Sequence, residues 1–113
     1  MNKAAQRRVD AFRRVGCIAC RLMGHFTDQY DVHHLVDKGT RELSGGDLAT
    51  IPLCLWHHRG QSPISGVADA TELYGPSLKH NKKLFVERYG SERELLEKVN
   101  ALLVTIQNLK GTL

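Results

Sequence analysis

Two pairs of residues with the same spacing constrain this chain most. Cys17 and Cys20 form a CxxC pair directly after Gly16, and Cys54 and His57 repeat the spacing with histidine in the last place. Four such side chains match the closed tetrahedral coordination of structural zinc. The alternative is that the cysteines are small buried hydrophobic residues. Because all three cysteines of the chain fall at ligand spacing, the pattern favours zinc.

A metal would help a chain of this size to fold. With 113 residues, the chain buries proportionally little surface, and the free energy of zinc binding becomes folding free energy. The odd number of cysteines argues against a secreted disulfide framework. The basic N-terminus lacks the apolar core of a signal peptide, and no run is long enough to span a membrane. These features predict a protein of the reducing cytoplasm.

The rest of the chain divides into segments with recognisable patterns. Pro76 and Ser77 predict the start of a helix that ends at Gly90. Ser91 and Glu94 form a capping box that opens an amphipathic helix over residues 92–108, which serves as a packing element or a dimer face. The remaining predicted elements are a basic helix over residues 2–14, a strand within residues 30–37, a loop over residues 38–50 and an irregular connection over residues 61–76.

Two tandem histidine pairs remain once the zinc ligands are assigned. His33 and His34 lie in the predicted strand, where neighbouring side chains point to opposite faces. His57 and His58 stand at a predicted helix start, where successive side chains diverge by about 100°. Each pair is therefore expected to divide between two tasks, with His57 facing the zinc and His58 facing a second site.

The order of these motifs resembles that of the HNH endonucleases. A CxxC pair, a strand with DVHHL, a glycine-containing loop and an apolar run into CxxHH follow one another along the chain. The resemblance implies a ββα-metal fold, in which a two-stranded hairpin packs against a helix. It further implies that His33 and His58 bind a catalytic metal ion and that His34 is the general base.

A closer resemblance extends over most of the chain. The segments GCIAC, VHHL, TIPLCLWHHRG and YGPSLKHNKKLFVERYGSERELLE are similar to those of the Ref family, the phage recombination-enhancement nucleases that depend on RecA. The resemblance implies a DNA endonuclease that uses Mg²⁺ or Mn²⁺ and acts with RecA filaments in a bacterial host cell. The asparagine of the HNH pattern falls on Ala49, so Asp47, Thr50 or backbone groups are the candidates to orient His34.

Together these features predict an α+β fold in a single HNH-like nuclease domain over residues 1–113. Its parts are a basic N-terminal helix over residues 1–15, a zinc-containing ββα-metal core over residues 16–62 and a helical C-terminal part over residues 76–110.

Basic residues next to this core are candidates for DNA contacts. The formal net charge of +4 and the sequence pI of about 9.2 favour a polyanionic partner. Arg59 follows the histidine pair and is a candidate phosphate clamp, because guanidinium binds phosphate oxygens in a fork. A second set is Lys79, Lys82 and Lys83. These lysines either contact phosphates or form a solvated face. Trp56 is either a base-stacking residue or part of the core.

A different class of function is compatible with part of the pattern. A DNA-binding or adaptor module without catalysis needs only the zinc ligands and the basic surface, and it leaves His34 without a task. His25 and His80 lie outside both patterns. The oligomeric state and the preferred DNA structure do not follow from the sequence.

Overall fold

A computed structural model describes residues 1–62, 64 and 66–112. In the part of the chain that it describes, α-helices of 5 to 21 residues surround a two-stranded sheet. The elements are α1 (Lys3–Val15), α2 (Ile18–Leu22), β1 (Asp31–His34), a 3₁₀ helix (Gly46–Leu48), β2 (Thr50–Leu53), α3 (Leu55–Arg59), α4 (Val67–Tyr74), α5 (Lys82–Tyr89) and α6 (Glu92–Thr112).

The sheet confirms the predicted α+β class and determines which faces His33 and His34 occupy. Strands β1 and β2 pair antiparallel, with His33 opposite Ile51 and His34 opposite Thr50. Because side chains alternate along a strand, Asp31 and His33 share one face of β1 and His34 points to the other. All four residues of β2 are buried, so the hairpin is anchored through its second strand.

The connection between the strands is a compact structure held by its own hydrogen bonds. The Leu35 N–H donates to the Ala49 carbonyl (3.0 Å), which closes the connection at its base. The buried Ser44 hydroxyl donates to the Thr40 carbonyl (2.6 Å) and accepts from the Lys38 N–H (3.0 Å). The 3₁₀ helix that precedes β2 lies in the region predicted as a loop and places Asp47 beside the sheet.

Helix α1 packs against α6 and the start of β2. Arg8 makes this contact: its guanidinium donates to the Thr50 carbonyl (2.6 Å), to the Thr50 hydroxyl (3.1 Å) and to the Asn100 amide oxygen (2.7 Å). Arg8 therefore belongs to the internal structure, although it lies in a basic segment. The last turn of the helix carries the basic residues Arg13 and Arg14, both exposed.

Two predictions about the chain after α3 were wrong. The segment predicted as an irregular connection contains α4, whose Ala70 is buried; Pro63 and Ser65 of this segment lie outside the described residues. The helix predicted from Ser77 begins instead at Lys82, because the Asn81 side chain accepts a hydrogen bond from the Leu84 N–H (3.2 Å) and caps the helix there. The preceding Ser77 helps to close a turn.

The capping box at the start of α6 is confirmed. The Glu94 N–H donates to the Ser91 hydroxyl (3.1 Å), and the Ser91 N–H donates to the Glu94 carboxylate (3.0 Å). The helix extends to Thr112, beyond the predicted residue 108. No helix in the described ranges has the length and apolar character needed to cross a membrane. The core includes Phe12, Ile18, Leu35, Ile51, Leu53, Phe85, Leu95 and Val99.

Candidate metal centres

The structure confirms a Cys3His group that could hold a metal ion such as zinc. The Sγ atoms of Cys17, Cys20 and Cys54 and a ring nitrogen of His57 all lie within 4.8 Å of one another. Cys17 and Cys54 are the N-cap residues of α2 and α3, so each thiol sits at the start of a short helix. The Cys20 and His57 N–H groups donate to these sulfurs.

The spacing of the donor atoms fits tetrahedral coordination. With metal–sulfur and metal–nitrogen bonds of about 2.3 and 2.1 Å, a tetrahedron separates two sulfurs by about 3.8 Å and a sulfur and a nitrogen by about 3.6 Å. The Cys20 and Cys54 sulfurs are 3.8 Å apart. The three sulfurs lie 3.2 to 3.6 Å from His57 Nδ1. The group therefore has the geometry of a closed four-ligand site.

A second layer of contacts orients the His57 ring. Its Nε2–H donates to the Tyr74 carbonyl (2.8 Å), and the buried Tyr89 hydroxyl lies 3.2 Å from the same nitrogen. The bond to Tyr74 leaves Nδ1 free to face the sulfurs. Burial alone would lower the pKa of His57, but hydrogen bonds to Cys20 and Cys54 raise it to about 9.

A separate pair of imidazoles lies on the other side of α3. His58 projects away from the cysteines, and its Nε2 is 3.2 Å from Nδ1 of His33 on β1. The two rings meet edge to face, with centroids 4.9 Å apart. Adjacent residues of one five-residue helix therefore serve two different clusters.

Each ring of this pair is bonded to a carboxylate through its other nitrogen. His33 Nε2–H donates to Glu92 Oε1 (2.9 Å), and His58 Nδ1–H donates to Asp31 Oδ2 (2.8 Å). The hydrogen bond from His33 lowers the pKa of Glu92. Burial would raise the pKa of Asp31, but hydrogen bonds from His58 and Arg59 lower it overall. Both carboxylates are therefore ionised at neutral pH and act as acceptors.

This arrangement turns two lone pairs toward each other. Since the outer nitrogens of His33 and His58 carry the protons, the facing nitrogens are both acceptors and repel each other unless a cation or a proton lies between them. Two nitrogens bound to one cation at about 2.1 Å are separated by about 3.0 Å at a right angle and by about 3.4 Å in a tetrahedron. The observed 3.2 Å lies within that interval.

His34 occupies the opposite face of β1 and contacts a different acid. Its Nε2–H donates to Asp47 Oδ1 (2.9 Å), which leaves Nδ1 as the nitrogen able to accept a proton. The Thr50 hydroxyl donates to the Asp47 carbonyl (3.3 Å) and so supports the turn that presents Asp47. Ala49 is buried and has no side-chain polar group. Of the candidates proposed for orienting His34, Asp47 is the residue that contacts it.

Arg59 forms a bidentate ion pair with Asp31. Its Nε and Nη2 donate to the two carboxylate oxygens at 2.7 and 2.9 Å. The Arg59 side chain is 55% exposed, and this ion pair uses one edge of the guanidinium. Three of its five N–H donors remain on the outer edge. The structure thus places Arg59 beside the imidazole pair through the same carboxylate that orients His58.

The other predicted residues lie in two kinds of environment. Lys79, Lys82 and Lys83 are exposed, and the positive charge of Lys82 contributes to lowering the pKa of Glu92. Trp56 is buried and donates to the Gly75 carbonyl (2.9 Å), so it is a core residue and not a stacking platform.

Two functional candidates were not predicted from the sequence. Asp31 lies two positions before His33, and the strand period alone places it on the same face. Glu92 comes from the start of α6, 59 residues away from His33, and no local pattern connects the two. The remaining histidines stay apart: His25 is exposed, and His80 donates to the Gly60 carbonyl (3.1 Å) behind α3.

Comparison with known protein families finds a match that covers most of the chain. A family model described as "Recombination enhancement, RecA-dependent nuclease" matches residues 2–104. The matched span includes the Cys3His group, the imidazole pair with both of its carboxylates, and His34 with Asp47.

Proposed function

Because the chain belongs to the family of RecA-dependent nucleases of recombination enhancement, we propose that it is a metal-dependent DNA endonuclease of the HNH type. The observation that carries this proposal is the distance of 3.2 Å between His33 Nδ1 and His58 Nε2, the ring nitrogens that face each other. Each ring donates its outer N–H to a carboxylate, as metal-binding histidines usually do. An adaptor without catalysis does not require such an arrangement.

We assign the two metal centres different tasks. The Cys3His group holds a structural zinc ion that fixes α2 against α3. His33 and His58 hold a Mg²⁺ or Mn²⁺ ion, which would stabilise negative charge on the scissile phosphate and the leaving oxygen. The other catalytic tasks are assigned to His34, Asp47 and Arg59.

His34 is the general base in this proposal. Its Nε2–H is held by Asp47, so Nδ1 can take a proton from the attacking water while the ring keeps its orientation. Asp47 also stabilises the positive charge that the ring acquires on accepting the proton. The outer edge of Arg59 contacts a phosphate oxygen and orients the substrate.

A cleavage assay tests the proposal. Purified protein is incubated with circular DNA and Mg²⁺ or Mn²⁺, with and without a RecA filament assembled on a homologous single strand. We expect divalent-metal-dependent cutting that the filament stimulates. DNA binding without cutting, with either metal and in the presence of filaments, would favour the adaptor instead.

The contact between Asp47 and His34 leads to a graded prediction. Asp47→Ala removes the acceptor that orients the base, and we expect the cleavage rate to fall about tenfold, as is usual when a functional histidine loses the group that orients it. Asp47→Asn keeps an oxygen acceptor but loses the negative charge that stabilises the protonated ring, so its rate is expected to fall as well, by less than that of Asp47→Ala. Single-turnover cleavage rates measure both. Equal rates for wild type and Asp47→Ala would exclude a role for this contact.

The exposed lysines lead to a prediction about salt dependence. If Lys82 contacts a phosphate, Lys82→Ala weakens DNA binding and lowers the slope of log affinity against log salt by about 1. Binding titrations at several salt concentrations measure the slope. Lys98→Ala is the matched control, because it removes the same charge from the second turn of α6. Identical slopes for Lys82→Ala and wild type would remove Lys82 from the DNA-binding surface.

A further inference from the structure

The first turn of α6 delivers a carboxylate to the imidazole pair. Glu92 Oε1 accepts from His33 Nε2–H at 2.9 Å, and Oε2 accepts from the Val36 N–H at 3.2 Å. Both side chains are largely shielded from solvent, with 10% of Glu92 and 12% of His33 exposed. Each oxygen of this carboxylate thus has a donor, one from the histidine and one from the chain just beyond β1.

The neighbours of Glu92 hold its backbone in place. Arg93 donates from Nε and Nη2 to the Asp37 carboxylate at 2.9 and 2.8 Å, and from Nη2 to the Ser44 carbonyl at 3.0 Å. Glu94 completes the capping box with Ser91. Successive residues of one helical turn thus bind β1, the connection between the strands and the helix terminus. The position of the Glu92 carboxylate is determined by all of these contacts.

The backbone partner determines how the carboxylate can interact with the ring. An N–H group can only donate, so Oε2 must accept from Val36. A carboxylate that accepts on both oxygens requires a proton on His33 Nε2. In the neutral ring, the nitrogen that faces His58 is then Nδ1 without a proton, the form that can bind a cation.

We propose that Glu92 is a positioning residue that fixes the tautomer and orientation of His33 and thereby prepares Nδ1 to bind the divalent cation. The inference rests on the proposed function, since it assigns a task to a residue that contacts a proposed metal ligand. Glu92 touches neither the reacting atoms nor the cation and acts through His33. Cation binding by His33 therefore also depends on how α6 packs against the hairpin.

A purely structural role for Glu92 makes a different prediction. If the carboxylate served only to satisfy the Val36 N–H, the His33 tautomer would not depend on it. Glu92→Gln separates the two roles, because glutamine has one carbonyl oxygen and an NH₂ group that cannot accept. It can replace one of the two contacts but not both.

The test combines a spectroscopic and a binding measurement on the zinc-loaded full chain. Long-range proton–nitrogen NMR correlations report which ring nitrogen of His33 carries the proton, and calorimetric titration with Mn²⁺ reports the affinity of the cation site. We expect the Nε2–H tautomer in wild type, a mixture of tautomers in Glu92→Gln, and Mn²⁺ affinity weakened about 10- to 100-fold. Glu94→Gln makes the same charge change two residues away and is expected to match wild type in both measurements.

Several results would overturn the positioning role. One such result is a folded Glu92→Gln protein that keeps the wild-type His33 tautomer and the wild-type Mn²⁺ affinity. If this variant does not fold, the wild-type spectrum decides alone, because an Nδ1–H tautomer at His33 contradicts the role of Glu92. A tautomer that depends on Glu92 in a protein that cuts no DNA supports the positioning role and overturns the proposed nuclease instead.

Discussion

Replacing His34 with alanine is expected to reduce DNA cleavage at least about 100-fold, because a positioned general base contributes a factor of about 10² to 10⁴ to rate. The fold, the zinc content and the affinity for Mn²⁺ are expected to remain, since His34 contacts Asp47 and not His33 or His58. Single-turnover cleavage of RecA-bound DNA measures the rate, and calorimetric titration measures the cation affinity.

The matched control for this prediction is His25→Ala. It removes an exposed imidazole that lies outside both clusters, and its cleavage rate is expected to equal that of wild type. A His34→Ala protein that cuts as fast as His25→Ala would assign the base to another residue. Loss of Mn²⁺ binding together with loss of cleavage would instead make His34 a ligand of the cation.

Replacing Cys17 with serine is expected to abolish both zinc retention and cooperative folding. A structural zinc site supplies on the order of 10 kcal/mol in small domains. The entire stability of a protein is about 5 to 15 kcal/mol. Losing one ligand of a closed site therefore removes an amount comparable with the whole free energy of unfolding. The zinc content measured by native mass spectrometry and the thermal unfolding curve followed by circular dichroism check this expectation.

The His25→Ala protein again provides the comparison, because His25 follows α2 by three residues and lies outside the Cys3His group. It is expected to retain one zinc ion per chain and the wild-type melting temperature. A Cys17→Ser protein that loses zinc yet melts at the wild-type temperature would show that the metal does not stabilise the fold. Zinc retained at wild-type affinity would show that Cys17 is not a ligand.

Short-range patterns predicted those parts of the molecule in which one helix turn or one strand determines the contact. The spacing of Cys54 and His57 places both on the first turn of α3, and the strand period separates His33 from His34. The capping box of Ser91 and Glu94 likewise depends only on the local backbone. In the zinc-ligand pair and the capping box, the interacting atoms come from residues three positions apart.

Long-range contacts account for what the sequence did not predict. The bond between His33 and Glu92 depends on how α6 packs against the hairpin, and the ion pair of Arg59 with Asp31 depends on how α3 crosses β1. The start of α5 was misplaced for a different reason: Ser77 and Asn81 are both good N-cap residues. The sequence alone could not show that Ser77 closes a turn and that Asn81 caps the helix.

A single peptide bond separates His57 from His58, and this proximity has a consequence for the cell. On the proposed assignment, a newly synthesised chain without zinc has no ordered α3. His58 therefore cannot take its position in the cation site. Nuclease activity then appears only after zinc uptake, so the zinc supply limits how many copies can cut DNA. Removal of that zinc by a chelator would abolish DNA cleavage even in abundant Mg²⁺.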